Sequence, residues 1–441
     1  MRALRRSSLT PWKPSGANPW NASAAGQLLR RAGFGARPDE LTRALNEGPA
    51  RTLERLSEAP ADLDESLGGI HALLGVGKLE HLQAWWMSLI TGEGVPLVER
   101  ATLMWHDHFA TSNDKVDDVR MMHAQNETLR EHALGDFREL LRRLAKDPAM
   151  LVWLDGDANK RGNPNENFAR EVMELFAHGI GNYTEHDLQE AARAFTGWGT
   201  LGRSFAFSPD HHDRAEKTLF GQRGSFDGEQ ALELVLEHPA CPAHVARRLL
   251  ATFVDDQPEL EVIDELAAVL VERDWNIGAT LEVLLSSELF FAPRQRRGRI
   301  TGPVEIVAMT ARTLGRQVSP KRMALAAEHM GQSLFRPPSV KGWDSGRGWI
   351  NAGTWLARHN ELAGYVLDSS GRPRDGIEEL FPSELRSLAP AERVLRTLFP
   401  DGVAPDYARV LQRAADAASS EAHALAEVTA LALSSPEYHL V

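Results

Sequence analysis

The side chains of this sequence that could take part in chemistry are concentrated in four short segments rich in histidine, aspartate and glutamate. Imidazole and carboxylate groups bind divalent metal ions and transfer protons, so the segments are candidates for both kinds of chemistry. Each of them also has a purely structural explanation. The segments are residues 105–109, residues 163–178, residues 183–198, and Asp210-His211-His212-Asp213 followed by Lys217.

The first segment places His106 and His108 two positions apart. On a helix, residues two positions apart point about 200° away from each other, so the two imidazoles cannot serve one site there. Only an extended segment would put both on one face. We predict His106 as a metal ligand. The structural alternative is one packed, hydrogen-bonded histidine and one surface histidine.

Residues 163–178 predict an amphipathic helix with one continuous polar face. Glu171 and Glu174, at positions i and i+3 of that face, form a carboxylate pair that could bind a divalent ion or share a proton. The structural alternative is a solvated face on which Glu166 and Arg170 form an i,i+4 ion pair. We therefore predict Glu171 and Glu174 as metal ligands, and Glu166 and Arg170 as catalytic residues.

The third segment predicts the start of another helix. Thr184 is suited to cap that helix, with Asp187 at its third position. The helix would carry Glu185 and Arg193, which we predict as catalytic residues. The structural alternative is a capped surface helix without a chemical role.

The fourth segment lies in a stretch without helical periodicity. Loops with clustered histidine and aspartate have fewer structural explanations than polar helix faces. The composition suits a divalent metal or a phosphate-bearing ligand. We predict His212 and Asp213 as metal ligands and Lys217 as a catalytic residue that stabilises negative charge.

Helical periodicity dominates the chain and predicts a mainly α fold. We expect an extended N-terminal arm over residues 1–23 and a large multi-helix domain over 24–368, with a loop or short β-hairpin insert at about 198–226. A linker over 369–389 would lead to a helical C-terminal extension, 390–441, packed on the main domain. Sustained βαβ alternation, a GxGxxG run and a P-loop are missing, which argues against Rossmann and Walker-type nucleotide enzymes.

The composition is that of an acidic globular protein. The chain has 441 residues, with 61 acidic and 49 basic side chains and a net charge of −12. Nucleic-acid binders usually have the opposite balance, so we expect no nucleic-acid partner. The single cysteine, Cys241, excludes an intramolecular disulfide and a multi-cysteine metal site. No standard signal peptide or membrane-spanning stretch is found, which predicts a soluble protein, cytoplasmic or exported with a partner.

Several runs of the sequence, taken in order, are shared with one bacterial protein family. They are Trp105-His106-Asp107-His108-Phe109, Asn165-Glu166-Asn167-Phe168-Ala169-Arg170-Glu171, Tyr183-Thr184-Glu185, Gly197-Trp198, His212-Asp213, Pro337-Pro338 and Gly342-Trp343. The chain resembles the family catalogued as domain of unknown function 1800 over about residues 24–365, and more weakly to the tail. As the resemblance implies, members of that family are often encoded beside secreted proteins similar to alkaline phosphatases and sulfatases. The resemblance therefore implies a partner or a shared pathway at the cell envelope, but no reaction.

Two functions remain open at this point. The first is a metal-dependent enzyme, a hydrolase or an oxidoreductase, acting on an envelope or carbohydrate-type substrate. Its cofactor would be a divalent metal ion held in a histidine and carboxylate cleft, with zinc, manganese and iron all compatible. For this function, the four segments must converge on one open cleft.

The second function is a noncatalytic helical scaffold. It would bind the phosphatase- or sulfatase-like partner or assist its maturation. The charged residues would then pair with each other in a closed interior, with Glu166–Arg170 and Glu185–Arg193 as ion pairs. The oligomeric state is left open by either function.

Overall fold

Helices make up most of the computed structural model, which describes residues 8–59, 63, 68–400 and 402–441. Residues 1–7, the start of the predicted N-terminal arm, lie outside the described residues. The first helices owe their starting points to short polar caps: Asp118, Asp136 and Asp147 each accept a main-chain N–H of the helix that follows. These helices are α1 (Ala22–Arg31), α2 (Pro38–Leu56), α3 (Ile70–Leu74), α4 (Leu79–Ser88), α5 (Pro96–His108), α6 (Asn113–Val116), α7 (Val119–Glu131), α8 (Phe137–Ala145) and α9 (Pro148–Trp153).

The middle of the chain contains the described β-structure. Helix α10 (Asn167–Glu171) runs directly into a π-helix over Val172–His178, and α11 (Glu185–Ala194) follows. Two small antiparallel hairpins come next, where the sequence predicts a loop or a single short hairpin. They are formed by β1 (Trp198–Leu201) with β2 (Ser204–Phe207), and by β3 (Lys217–Leu219) with β4 (Gln222–Gly224).

The remaining helices complete a mainly α architecture, as predicted. Short 3₁₀ turns at Ile377–Leu380 and Ser383–Leu385 lie within the predicted linker, and Ile377, Leu380 and Phe381 there are buried. The helices are α12 (Gly228–Leu236), α13 (Cys241–Phe253), α14 (Leu260–Glu272), α15 (Ile277–Leu285), α16 (Pro303–Leu314), α17 (Pro320–His329), α18 (Ala352–Ala363), α19 (Pro390–Leu398), α20 (Pro405–Ala417) and α21 (Glu421–Leu433).

The buried apolar side chains form two cores. The first core draws its residues from Leu9 to Phe291, and it contains α10, the π-helix and α11. The second core joins Trp86 of α4 to Val307 of α16 and Leu425 of α21, so the C-terminal helices pack on elements from the first half of the chain. No helix of the described chain is both long and apolar enough to span a membrane.

Both ends of the described chain are hydrogen-bonded to one stretch, residues 286–301. Near the start, the Trp12 N–H donates to the Ser286 carbonyl at 2.8 Å, and residues 8 and 10 accept from residues 289 and 288. Near the end, Arg299 exchanges two main-chain hydrogen bonds with Val441, at 3.1 and 2.9 Å. The first and last described segments are therefore part of the packed structure.

Candidate functional site

The helix that carries the predicted carboxylate pair begins at Asn167, later than the sequence predicts. The side chain of Asn165 accepts the N–H of Asn167 at 3.0 Å, and this local bond sets the start. After Glu171 the helix widens to the π form over Val172–His178. Such turns need support from packing and are frequent at functional sites. Here His178 provides support, because its Nε2 lies 2.8 Å from the Val235 carbonyl oxygen of α12.

Glu171 is a largely buried residue, 9% exposed, and its carboxylate oxygens still reach solvent. It makes no hydrogen bond or ion pair with any described residue. Burial raises the pKa of this carboxyl, and the negative charge of Glu174 raises it further, whereas Arg170 and Lys341 act in the opposite direction. A buried carboxylate without a partner is costly, so this position is where a proton or a cation would be taken up.

Glu174 has one close partner that was not among the predicted site residues. The Tyr183 hydroxyl donates to Glu174 Oε2 at 2.5 Å. Burial and this bond to Glu174 raise the pKa of Tyr183 to about 12. The phenol therefore stays protonated at neutral pH, and it holds the Glu174 carboxylate beside Glu171.

The other charged residues of this segment lie next to the carboxylate pair. Arg170 Nη2 contacts Glu166 Oε2 at 3.1 Å and Glu185 Oε1 at 3.4 Å. The Glu166–Arg170 ion pair of the structural alternative is thus present, and Glu185 of α11 is a second partner of Arg170. The structure brings five predicted residues together at this place: Glu166, Arg170, Glu171, Glu174 and Glu185.

A second group forms around Arg193, near the other end of α11. Arg193 contacts Asp213 Oδ2 at 2.8 Å and Glu190 Oε1 at 2.7 Å. The Glu185–Arg193 ion pair expected for a scaffold is therefore wrong, because each of the two residues has other partners. Arg193 instead ties α11 to the loop between the two hairpins.

His212 and Lys217 hold that loop in place through main-chain oxygens. The Nδ1 of His212 lies 2.9 Å from the Thr196 carbonyl oxygen. Lys217 is almost fully buried, and its Nζ donates to the carbonyls of Asp213 at 2.6 Å and Ala215 at 3.0 Å. Burial lowers the pKa of Lys217. In this structure, both side chains therefore stabilise the loop between the two hairpins through hydrogen bonds to main-chain oxygens.

His106 lies beside the second core, away from the charged groups around Glu171 and around Arg193. Its ring packs against Trp86, Phe335 and Trp343, and its Nε2 accepts the Phe335 N–H at 3.2 Å. Burial lowers the pKa of His106 to about 3, so the ring is neutral. The expected surface histidine is wrong, because His108 is also buried, with Nε2 2.9 Å from the Phe176 carbonyl oxygen.

The predicted metal ligands are therefore not gathered at one point. Among the residues that the structure describes, no group of three or more histidine, cysteine, aspartate or glutamate side chains is arranged to hold a metal ion. His106 and His212 each have separate neighbours. Glu171 and Glu174 remain as an adjacent pair, with Lys341 of the loop before Gly342-Trp343 close enough to act on Glu171.

The similarity of the chain to known proteins extends over nearly its whole length. A family model described as "Protein of unknown function (DUF1800)" matches residues 27–440. The match includes the carboxylate pair, both hairpins and the C-terminal helices. No curated protein and no solved structure matches the chain. The family description names no reaction and no ligand.

Proposed function

The chain belongs to the DUF1800 family of proteins of unknown function, and we propose that it is an enzyme whose divalent cation is held by Glu171 and Glu174. The observation that supports this proposal is the carboxylate of the largely buried Glu171, which no described residue pairs with and whose pKa burial raises. Unpaired, perturbed carboxylates are concentrated at functional sites because a ligand or a proton offsets their cost.

Two carboxylates are enough for one kind of cation site. Magnesium and similar ions are commonly held by one or two carboxylates, while water and substrate fill the other positions. A bound cation of this kind would polarise the substrate and lower the pKa of a coordinated water. The lack of a three-residue cluster among the described residues is compatible with such a site.

The residues around the pair have separate tasks in this proposal. Glu171 and Glu174 would hold the cation, whose positive charge would offset the cost of keeping the Glu171 carboxylate ionised in its largely buried position. Arg170 and Lys341 offset negative charge that develops on the substrate. Tyr183 fixes the orientation of Glu174 through its hydrogen bond. The resemblance to a family encoded beside phosphatase- and sulfatase-like proteins supports a shared pathway at the cell envelope. The reaction that we propose is hydrolysis of an envelope or carbohydrate-type substrate.

The experiment is a measurement of metal content by mass spectrometry on protein purified without a histidine tag. We expect near-stoichiometric metal in the wild type, and at least about tenfold weaker retention in Glu171→Gln and Glu174→Gln. Glu282→Gln is the matched control, because Glu282 is an exposed glutamate of α15 outside the site. Unchanged metal content in Glu171→Gln, or a wild type that refuses magnesium, manganese, zinc and iron, would contradict the proposal.

The scaffold function is the second candidate, and the ion pairs favour it. Arg170 is paired with Glu166 and Glu185, and Arg193 with Glu190 and Asp213, so much of the polar group is internally satisfied. In this case the protein would bind the phosphatase- or sulfatase-like partner without chemistry of its own. The scaffold would be supported over the enzyme by two results. The metal-free protein co-purifies with that partner, and the Glu171→Gln variant co-purifies with it equally well.

A further inference from the structure

A groove lined by several arginines runs along α17, away from the carboxylate pair. Two adjoining cavities form it, with volumes of about 290 Å³ and about 210 Å³. The larger cavity lies at the ends of α4 and α16, and the smaller one lies between α17 and the end of α18. Residues 316–318 and Met323 line both, so we treat the two as one surface and call it the arginine groove.

The charges that line the groove are strongly unbalanced. The chain as a whole is acidic, with a net charge of −12, yet the only carboxylate in the described lining of the two cavities is that of Glu361. Five arginines line the same surface, namely Arg37, Arg312, Arg316, Arg322 and Arg374. The groove is therefore a locally positive surface on an acidic protein, which attracts anions.

Three of these arginines already have carboxylate partners. Arg37 and Arg312 both pair with Glu40, at 2.9 and 2.8 Å, and Glu40 lies outside the lining of the groove. Arg322 pairs with Glu361 at 2.6 Å. The nearby carboxylates of Glu40 and Glu361 are thus engaged by these three arginines.

The other two arginines, Arg316 and Arg374, form no ion pair with any described carboxylate. Both are held by main-chain oxygens instead. Arg316 Nη1 donates to the Asp375 carbonyl at 3.1 Å. Arg374 Nε donates to the carbonyls of Gly364 and Leu367 at 2.8 and 3.0 Å. These bonds fix the two guanidinium groups beside the end of α18 without neutralising them.

The remaining N–H groups of both arginines reach the groove. Arg316 is half-buried, and its Nε and Nη2 make no hydrogen bond with a described residue, but neither atom is enclosed. Arg374 is exposed, and its two Nη groups are likewise unused by the described residues. A ligand in the groove can therefore accept hydrogen bonds from both side chains.

The two guanidinium groups are also close enough to repel each other. Burial lowers the pKa of Arg316, and the positive charge of Arg374 lowers it further, whereas the negative charge of Asp375 acts in the opposite direction. Asp375 is exposed and does not line the groove. An anion bound between Arg316 and Arg374 would favour the charged form of both.

The groove has an apolar surface beside these donors. Val318, Met323, Ala326 and Tyr365 contribute to the smaller cavity, and the last three are buried. Sites for small organic molecules commonly combine apolar walls with a few fixed polar groups. The smaller cavity is thus suited to a charged group that has an organic part attached.

We propose that the arginine groove binds a phosphate or sulfate group, either as the free anion or as an ester of a small organic molecule. Arg316 and Arg374 donate to its oxygens, and guanidinium groups match such anions in geometry and charge. In the smaller cavity three arginines face one carboxylate, which leaves a surplus of two positive charges. A phosphate monoester has a charge of about −1.5 to −2 at pH 7 and fits this surplus. The site is independent of the cation proposed at Glu171 and Glu174, because neither residue lines the groove.

The experiment is isothermal titration of the full chain with inorganic phosphate, inorganic sulfate and phenyl phosphate at constant ionic strength. The protein is first stripped of metal with a chelator and dialysed, so that a cation at Glu171 and Glu174 does not contribute to the binding. We expect phosphate or sulfate to bind with a Kd of about 1 mM or tighter. Tighter binding of phenyl phosphate than of inorganic phosphate identifies an ester as the ligand, and equal binding identifies the free anion.

Arg316 is the residue to change, because its unused N–H groups lie in the part of the groove that both cavities share. Arg316→Gln should weaken binding at least about tenfold, since it removes charge-assisted hydrogen bonds. Arg413→Gln is the matched control, because Arg413 is an exposed arginine of α20 that does not line the groove. The control makes the same change in net charge, and its affinity should stay within about twofold of the wild type.

Arg374→Gln keeps the test decisive if Arg316→Gln does not fold. Arg374 is exposed, and its replacement should also weaken binding at least about tenfold. The proposal is overturned if neither phosphate nor sulfate binds, or if Arg316→Gln, or in its place Arg374→Gln, binds them with wild-type affinity. It is also overturned if Arg413→Gln weakens binding as much, because the attraction would then be that of net charge alone.

Discussion

Glu171 and Lys217 are charged side chains that the structure buries in opposite surroundings. Lys217 satisfies its ammonium group with two main-chain oxygens, whereas Glu171 makes no hydrogen bond or ion pair with any described residue. The sequence predicts both as functional residues, because composition and spacing show which side chains are charged but not which groups they contact in the folded protein. Tyr183 shows the converse: its place before a helix cap gives no sign of the bond to Glu174.

Glu171→Gln should stabilise the protein at neutral pH by about 1 kcal/mol when metal is removed with a chelator. Burial raises the folded-state pKa of Glu171 above its ordinary value of 4.5. The ionised carboxylate therefore destabilises the folded protein, and this destabilisation is fully present once the pH exceeds the folded-state pKa. As the pH falls below 4.5 the carboxyl is neutral in both states, and the gain should disappear. Urea unfolding at pH 7 and at pH 4 measures the difference. Glu282→Gln should show no gain at either pH, and an equal gain at both would contradict the assignment.

Lys217→Met should destabilise the protein by about 2 kcal/mol, since it removes two hydrogen bonds that the buried ammonium group donates to the carbonyls of Asp213 and Ala215. The apolar stem is retained, so the loss reports the ammonium group. Lys160→Met is the matched control, because Lys160 is exposed, and its effect should stay within about 0.5 kcal/mol. Denaturant unfolding of both variants tests this. A Lys217→Met protein as stable as the wild type would leave Lys217 free for a chemical role.

Elements with local signals are predicted well, and those that depend on distant contacts are not. Thr184 and Asp187 form the capping box that the sequence predicts, with main-chain bonds at 3.1 and 3.0 Å. The π-helix over Val172–His178 has no such signal, because its support includes a contact with α12. The second hairpin is also missed, since strands of three residues are too short to show alternation.

Gly197, directly before the first hairpin, allows close packing against the loop that follows that hairpin. Its φ is +85°, and an added Cβ would lie 2.5 Å from the Ser208 carbonyl oxygen. Gly197→Ala should therefore cost about 3 kcal/mol, from backbone strain and from displacement of that loop. Gly202 at the hairpin turn also has positive φ, +61°, but has no atom within 4 Å of an added Cβ. Gly202→Ala should cost only about 1 kcal/mol. Urea unfolding of the two variants decides this, and equal losses would contradict the role given to Gly197.

The whole molecule is organised by two cores that combine distant segments. Periodicity predicts the helices of both, but not which of them share a core, because pairing depends on the complete set of apolar faces. The segment 369–389 illustrates the point: its glycines and prolines predict a linker, yet Ile377 and Phe381 are buried in the second core. The second core thus extends through this segment to the C-terminal helices.

The tyrosines should report the integrity of the whole molecule at high pH. The chain has four, and burial raises the pKa of each above 10: Tyr183 to about 12, and Tyr365, Tyr407 and Tyr438 likewise upward. Because unfolded tyrosine releases its proton at lower pH than folded tyrosine, stability should fall as the pH rises above 10. Absorbance at 295 nm of the folded protein should therefore stay low near pH 10 and increase only at higher pH, while protein in urea should titrate near pH 10. A folded protein with a tyrosinate midpoint near pH 10 would contradict this.

The docking of the last residues on the stretch 299–301 also sets a time order for folding. The first core uses residues up to Phe291, whereas the second needs α21 and residues 439–441. At about 5–20 residues per second, a ribosome needs roughly 8–30 seconds to add the chain from Phe291 to Val441. During that interval the apolar face of α4, and that of α16 after its synthesis, has no C-terminal helices to cover it. The nascent chain therefore passes through a half-folded stage, and it is at this stage that chaperone binding and aggregation compete with folding.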